Sequence, residues 1–206
     1  MATASVPPGN FFKLTGGHPA LDLVNTLDWR FREGETDELL ESYEDVVSFA
    51  EQSHLLTTAQ ASELRRTVTA DAGERVLEEC RELREVLADL FYAQLDGYAP
   101  ARAQINVLER FFKDLRDFER LVWHEPRLEW DLAMAENNHE LPFWLLVSAA
   151  SNLTFSADME RLRACGDPEC RWLFLDTSKN HTRRWCDMKV CGNRMKARRF
   201  KAQHKM

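Results

Sequence analysis

The sequence contains no run of roughly 18 to 20 consecutive apolar residues, no basic leader followed by an apolar segment, and no repeat or low-complexity tract. These absences argue against a membrane-spanning helix and a secretory signal, so we expect a cytoplasmic protein without a membrane partner. The sequence also lacks a P-loop, a GxGxxG motif after a strand, a GxSxG motif and an HExxH motif. Its histidines are scattered, and we therefore do not expect an enzyme.

Acidic and basic residues are distributed unevenly along the 206-residue chain. Residues 161–206 contain 13 Lys and Arg against 4 Asp and Glu, whereas residues 1–160 contain 14 against 30. The C-terminal segment therefore carries +9 and the rest of the chain −16. This asymmetry suits a basic segment that contacts a polyanion. The hydrophobic fraction of 44% and the charged fraction of 30% are typical of a soluble globular protein with a buried core.

Four of the five cysteines form two pairs with the same spacing, C-x4-C-x15-C-x4-C. In a chain without a secretory signal, this spacing indicates a metal site rather than disulfide bonds. Four thiolates complete the tetrahedral shell of Zn²⁺ and leave no position for water, so we expect the zinc to be structural. The predicted ligands are Cys165, Cys170, Cys186 and Cys191.

Other interpretations of the cysteines stay open at this point. The four could be paired by chance in a reducing compartment, or they could act as a redox switch that releases zinc on oxidation. His181 and His204 are alternative ligands, although four thiolates already fill the shell. Cys80 lies apart on a strongly helical segment, where an inert buried thiol is expected.

The hydrophobic pattern predicts an α-rich α+β fold for residues 1–160, with two small β-hairpins. The hairpins are expected over residues 11–27, around a Gly-Gly turn, and over residues 121–132, around a Glu-Pro turn. Helices are expected after Ser42 as an N-cap, through residues 57–67, over Gly73–Leu95, over Ala101–Phe118 with Pro100 marking its start, and over residues 141–155. The third helix is the most periodic and should be central.

Residues 161–206 are expected to form a second domain, a zinc finger. It would consist of a knuckle around the first cysteine pair, a hairpin of residues 171–176 and 181–186, and a C-terminal helix. Cys186 would end a strand and Cys191 would open the helix, whose N-terminal dipole stabilises a thiolate. This order is that of a treble-clef zinc finger.

The predicted helix and the strand before it carry the residues expected to contact DNA, namely Arg183, Arg184, Arg194, Lys196, Arg198, Arg199 and Lys201. Arginines and lysines on a metal-fixed helix can meet phosphates, and a few can reach base edges. In the alternative interpretation, the finger is a protein-interaction module that docks on the acidic body or on another protein.

Residues 176–194, with the C-x4-C pair upstream, resemble the CGNR zinc finger, whose name-giving tetrapeptide is present here at residues 191–194. Residues 16–30, GGHPALDLVNTLDWR, are similar to the opening motif of the ABATE domain, which in bacteria is commonly joined to that finger. The resemblance implies a treble-clef finger that binds DNA, an N-terminal domain that binds an unidentified ligand, and a stress-induced transcription regulator. His181-Thr182 departs from the finger motif and leaves the metal ligands untouched.

The ABATE resemblance favours a small-molecule pocket that includes Asp22, Asn25, Thr26 and Arg30. Asn25 interrupts an apolar row, and a polar residue in such a row needs a partner. In the alternative interpretation, Asn25 and Asp22 satisfy backbone groups near the predicted hairpin. The tryptophans could line a ligand cavity or belong to the core, and this applies to Trp29, Trp123, Trp130 and Trp144.

Overall fold

The computed structural model describes residues 10–34, 36–135 and 137–204. Its helices are α1 (Pro19–Val24), α2 (Tyr43–Gln52), α3 (Thr58–Thr67), α4 (Ala70–Asp96), α5 (Arg102–Leu115), α6 (Leu141–Thr154) and α7 (Asn193–Gln203). Its strands are β1 (Leu27–Asp28), β2 (Asp37–Glu38), β3 (Glu119–His124), β4 (Arg127–Leu132), β5 (Leu162–Ala164) and β6 (Leu173–Leu175). They form three antiparallel two-stranded sheets in chain order. This architecture confirms the α-rich α+β class, and no helix of the described ranges is long and apolar enough to cross a membrane.

Helix α4, which is 27 residues long, is the central element and packs against α1, α2, α5 and α6. Its apolar residues recur every three or four positions, and Leu83, Leu87 and Phe91 are completely buried. Cys80 lies among them, and its burial raises the pKa of the thiol above the ordinary value. The predicted central helix and its buried cysteine are therefore confirmed.

Helix α2 begins at the predicted capping box. The Ser42 hydroxyl accepts a hydrogen bond from the Asp45 N–H at 3.2 Å, and the Asp45 carboxylate accepts one from the Ser42 N–H at 2.9 Å. Such reciprocal bonds satisfy amides that the helix leaves free, and a cap contributes about 1 kcal/mol. A second box of the same kind, formed by Thr57 and Gln60, starts α3.

The predicted hairpin over residues 11–27 is wrong, because part of this segment forms α1. His18 caps the helix and Pro19 is its first residue. Proline lacks an N–H, but the N–H at this position has no partner within a helix, so no hydrogen bond is lost. The next five residues of α1 are all buried, and the helix packs against α4 and α6. A short helix that is buried on every side shows no 3.6-residue pattern, so its sequence could be interpreted as alternating.

The remaining elements of the N-terminal part differ from the prediction at two points, namely the short β1–β2 pair, which was not predicted, and the start of α5. Helix α5 starts at Arg102 with Ala101 as its N-cap, so Pro100 lies two residues before the first helical residue rather than at the start itself. The second predicted hairpin is confirmed as β3–β4, whose register runs from Glu119 opposite Leu132 to His124 opposite Arg127. The buried apolar helix is confirmed as α6.

The C-terminal segment contains a different hairpin from the one predicted. Strand β6 pairs with β5, upstream of the first cysteine pair, and residues 177–187 contain no strand. The segment after β6 is instead closed by Asp176, whose completely buried carboxylate accepts hydrogen bonds from the N–H groups of Ser178 and Arg183. These bonds hold the loop in a compact shape without a strand ladder, as is common for aspartate in turns.

Strand β6 lies between two apolar clusters. Leu173 and Leu175 point into the large core formed by α1, α2, α4, α5 and α6. Phe174, on the other face, packs with Trp172 and the four C-terminal cysteines. Because side chains alternate across a strand, these three residues join the core of the body to the core of the finger.

Candidate metal centre and basic helix

The four predicted zinc ligands come together in one buried cluster. Their sulfur atoms all lie within 4.8 Å of one another, and none of the four residues is more than 6% exposed. The Cys170 and Cys186 sulfurs are 3.7 Å apart, and those of Cys186 and Cys191 are 3.6 Å apart. A tetrahedral shell with Zn–S bonds of about 2.3 Å places its sulfurs about 3.8 Å apart. The donors therefore fit a zinc site, and neither His181 nor His204 belongs to the cluster.

The first cysteine pair sits in a turn at the tip of the β5–β6 hairpin. The Asp167 carbonyl accepts hydrogen bonds from the N–H groups of Cys170 and Arg171, both at 3.0 Å. Gly166 lies so close to Arg184 and Trp185 that a Cβ at this position would be 3.2 Å from each side chain. The predicted knuckle is thus fixed by backbone bonds and by the close approach of the following loop.

The pKa of the Cys165 thiol is held below its ordinary value. Hydrogen bonds from the Cys170 and Cys186 thiols stabilise its thiolate, and the N–H groups of Asp167 and Cys186 add to this effect. Hydrogen bonding to Cys165 and burial raise the pKa values of the other three thiols, so Zn²⁺, which binds thiolates, releases protons from them when it binds.

Each of the four residues of the CGNR tetrapeptide makes a different contact. Cys191 supplies the fourth sulfur from the π-helical turn Met188–Gly192, which leads into α7. A Cβ on Gly192 would be 2.5 Å from the Met188 sulfur, so only glycine fits without displacing that side chain. Asn193 donates from its side chain to the Lys189 carbonyl at 3.0 Å. The last residue, Arg194, reaches back to the knuckle.

Arg194 connects the helix, the knuckle and the N-terminal body. Its guanidinium donates to the Asp167 carboxylate at 2.9 Å, and that carboxylate is completely buried. The same guanidinium lies 4.5 Å from the centre of the Trp29 ring. A cation that pairs with a buried carboxylate and stacks on an aromatic ring is held in one position.

Two family models match the chain. The CGNR zinc finger matches residues 161–204. The ABATE model, whose description is "Putative stress-induced transcription regulator", matches residues 17–155, which is more than half of the sequence. The chain belongs to the ABATE family. No curated protein matches it.

The ABATE region holds the four predicted ligand-binding residues, and each of them has a partner within the protein. Asn25 forms two hydrogen bonds with Leu173, through its Oδ1 at 2.8 Å and its Nδ2 at 2.9 Å. Thr26 donates to the Leu23 carbonyl at 2.7 Å. Arg30 forms an ion pair with Glu85. These contacts agree with the structural alternative for Asn25, although its partner lies in strand β6 of the finger rather than in the hairpin predicted over residues 11–27.

Asp22 is the fourth of these residues and lies at the first turn of α1. Its carboxylate accepts a hydrogen bond from the Gly16 N–H at 2.7 Å and is almost completely buried. Burial raises its pKa to about 6, while the bonds from the Gly16 and Thr15 amides and the charge of Arg183 act in the opposite direction. Asp22 therefore titrates near neutral pH.

The predicted DNA-contacting residues fall into two groups in the structure. Arg183 donates to the carbonyls of Thr15, Trp185 and Cys186 and lies over the Phe174 ring, so it holds the loop on the body. Arg184 lies over the Trp185 ring and is exposed, and Arg198 pairs with Asp167 and Glu169. The second group is exposed on α7 and comprises Lys196, Arg199 and Lys201.

The predicted tryptophan set does not form one cavity. Trp29 lines a cavity of about 120 Å³ between body and finger, together with Trp172 and Arg194. Trp144 is buried in the large core, whereas Trp123 and Trp130 are exposed on the β3–β4 hairpin.

Sequence reasoning missed Asp167 and Asp176. Both carboxylates are completely buried and accept hydrogen bonds that shape the finger. Charged residues are rarely buried without a partner, but the sequence does not show which aspartates have one.

Proposed function

We propose that this protein is a transcription regulator whose zinc finger binds DNA through α7 and whose ABATE region receives a small-molecule signal. The observation that carries the DNA-binding proposal is the arrangement of charge on α7. No residue of this helix is buried. At 100° per residue, Arg194 and Arg198 share the face that meets Asp167 and Glu169, whereas Lys196 and Arg199 lie on the opposite face.

The outward face of α7 is suited to a phosphate backbone. Its cations, Lys196 and Arg199, are exposed. Lys201 is exposed as well, on the side of Arg194 and nearer the end of the helix, and within residues 10–34, 36–135 and 137–204 no ion pair of these three side chains is found. A zinc ion with four thiolates lowers the charge of the finger by about two, so residues 161–206 keep a clear positive excess. The knuckle and the helix are two of the three parts expected of a treble-clef finger. The ion pairs of Arg194 and Arg198 with the knuckle fix the orientation of α7 and thus of this face.

The alternative function, a protein-interaction module, has weaker support. The finger does dock on the acidic body, through Arg171, Trp172 and Arg183, which bond to Asp96, Asp28 and the Thr15 carbonyl. From α7, Arg194 adds its contact with the Trp29 ring. The outward residues of α7 take no part in these contacts. Docking on the body would require an occluded basic helix, whereas Lys196, Arg199 and Lys201 stay accessible.

The signal-receiving part of the proposal is supported by the position of the ABATE opening motif. Residues 22–30 contact strand β6 through Asn25, Trp172 through Asp28, and Arg194 through Trp29. A ligand that exchanged with the internal contacts of Asp22, Asn25, Thr26 or Arg30 would change how the finger sits on the body.

The DNA-binding proposal is tested by titrating a duplex with the full-length, zinc-loaded protein at several salt concentrations. We expect the logarithm of the affinity to fall linearly with the logarithm of the salt concentration. Replacing Lys196, Arg199 and Lys201 by Gln removes up to three phosphate contacts and should reduce the slope by about 0.9 for each. A matched control replaces three exposed cations of the body, Arg102, Lys113 and Arg127.

Two results would contradict DNA binding by α7. The first is a zinc-loaded wild-type protein that binds no duplex at low salt. The second is a control variant whose affinity and salt slope change as much as those of the α7 variant.

A further inference from the structure

The β3–β4 hairpin presents an apolar face to solvent. Leu121 is 56% exposed, Trp123 61%, Leu128 60% and Trp130 53%. The register places Leu121 opposite Trp130 and Trp123 opposite Leu128. Because residues two apart share a face of a strand, and directly opposite residues do so as well, all four side chains lie on the same face.

The other face of the hairpin is mostly polar. Its opposed pairs are Arg120 with Asp131, Val122 with Glu129, and His124 with Arg127. The hairpin is thus amphipathic, yet among the described residues of the body none brings a side chain of its apolar face below 50% exposure. Its base packs on the large core through the partly buried Phe118 and Leu132. Arg116 lies 5.4 Å from the centre of the Trp130 ring and still leaves that residue more than half exposed.

The size of this face is that of an interface. Two tryptophans and two leucines at this exposure present on the order of 400 Å² of apolar surface, which is comparable to the largest patch on a typical monomer. Apolar atoms make up about 60% of a protein interface. Two such faces together would therefore bury on the order of 1,300 Å², which is within the standard size of stable complexes.

We propose that the apolar face of the β3–β4 hairpin is a homodimer interface, with a second copy of this chain as the occupant. The two tryptophans lie on one diagonal of the patch and the two leucines on the other. A two-fold axis parallel to the strands sets each tryptophan against a leucine of the other copy. Large residues opposite smaller ones interdigitate, so the patch is complementary to itself.

The dimer has a consequence for the finger that rests on the proposed function. One α7 helix offers three exposed cations, Lys196, Arg199 and Lys201, which supply a modest affinity for DNA. Two fingers in one dimer bind the same duplex with a high effective concentration for the second contact. The existence of the dimer itself does not depend on DNA binding.

The test is sedimentation velocity of the full-length, zinc-loaded protein without DNA over a range of concentrations. We expect a monomer–dimer equilibrium with a micromolar dissociation constant. The matched variants are Trp123→Lys, on the apolar face, and Val122→Lys, on the adjacent residue of the opposite face. Trp123→Lys should weaken dimerisation at least about tenfold, because central aromatic residues dominate interfaces, whereas Val122→Lys should dimerise like the wild type.

Both positions are exposed, so we expect both variants to keep the fold, and circular dichroism and zinc content check this. A wild-type protein that stays monomeric up to about 100 μM overturns the proposal, because that concentration is well above the expected constant. Equal dimerisation of Trp123→Lys and wild type overturns it as well. A dimer that binds no duplex supports the interface and argues only against the DNA-binding function.

Discussion

The side-chain amide of Asn25 forms two hydrogen bonds with the backbone of Leu173, which is 148 residues further along the chain. Its Oδ1 accepts from the Leu173 N–H at 2.8 Å, and its Nδ2 donates to the Leu173 carbonyl at 2.9 Å. One side chain thus pairs with strand β6 as a neighbouring strand would. A further bond from the Leu175 N–H to the Gly16 carbonyl extends this contact. Residues on both sides of the boundary proposed near residue 160, with Leu173 and Leu175 on the C-terminal side, therefore contribute to the large core of the body.

We predict that Asn25→Ala destabilises the whole protein. The substitution leaves a buried N–H and a buried carbonyl of Leu173 without partners, which costs about 2–4 kcal/mol in the free energy of unfolding. Urea unfolding at saturating zinc measures this change. Asn152→Ala, at an exposed position of α6, is the control. If the two variants unfold at the same urea concentration, the Asn25–Leu173 contact does not have the stabilising role described here.

The zinc content of the protein should depend on the four clustered cysteines and not on Cys80. We expect about one zinc ion per chain in the purified, reduced protein, as a closed four-thiolate shell holds one ion. Cys170→Ser should lose most of this metal and lower the melting temperature, because metal binding contributes directly to folding. Cys80→Ala removes the one cysteine outside the cluster and should keep the metal. Elemental analysis measures the zinc content and a thermal melt measures the melting temperature of each variant. Retention of stoichiometric zinc by Cys170→Ser would contradict the assignment of the zinc ligands.

Two arginines on the same helix should differ in their effect on stability. Arg194 pairs with the buried Asp167 and stacks on Trp29, whereas Arg199 is exposed. Arg194→Gln should reduce the free energy of unfolding by about 1–3 kcal/mol, because it leaves a buried carboxylate with less compensation. Arg199→Gln should change it by less than about 0.5 kcal/mol. Urea unfolding of the two zinc-loaded variants measures their free energies of unfolding. If both variants lose the same free energy, the Arg194 contacts do not have the stabilising role described here.

The stability of the protein should depend on pH through Asp22. Because burial raises its folded-state pKa to about 6, the neutral carboxyl is favoured in the folded state. The stability that this group contributes is complete below its ordinary pKa and is lost as the pH rises through the folded value. Between about pH 5.5 and 7.5 we expect a loss on the order of 1 kcal/mol that is absent in Asp22→Asn.

Denaturant unfolding at several pH values measures this difference, with Asp71→Asn as a control at an exposed position. A wild-type protein and an Asp22→Asn variant with parallel pH profiles would show that Asp22 does not titrate in this range.

Several features could be predicted from the sequence because their cause is local. The cysteine spacing identified the ligand set, and the capping box at Ser42 and the period of α4 identified two helices. Each of these signals extends over a few residues or repeats with a helical period. The exposed face of α7 follows from the same kind of local pattern, since 100° per residue separates Lys196 and Arg199 from Arg194.

Only the tertiary structure shows which polar residues are buried and which partners they bind within the protein. The sequence could not show that β6 pairs with β5, since pairing depends on which strand the cysteine turn brings alongside. It could not show that Asn25 binds Leu173 or that Arg194 pairs with Asp167, because these partners meet only after the chain has folded. Local propensity acts over a few residues, whereas the partner of a buried polar group is chosen by the packing of distant segments.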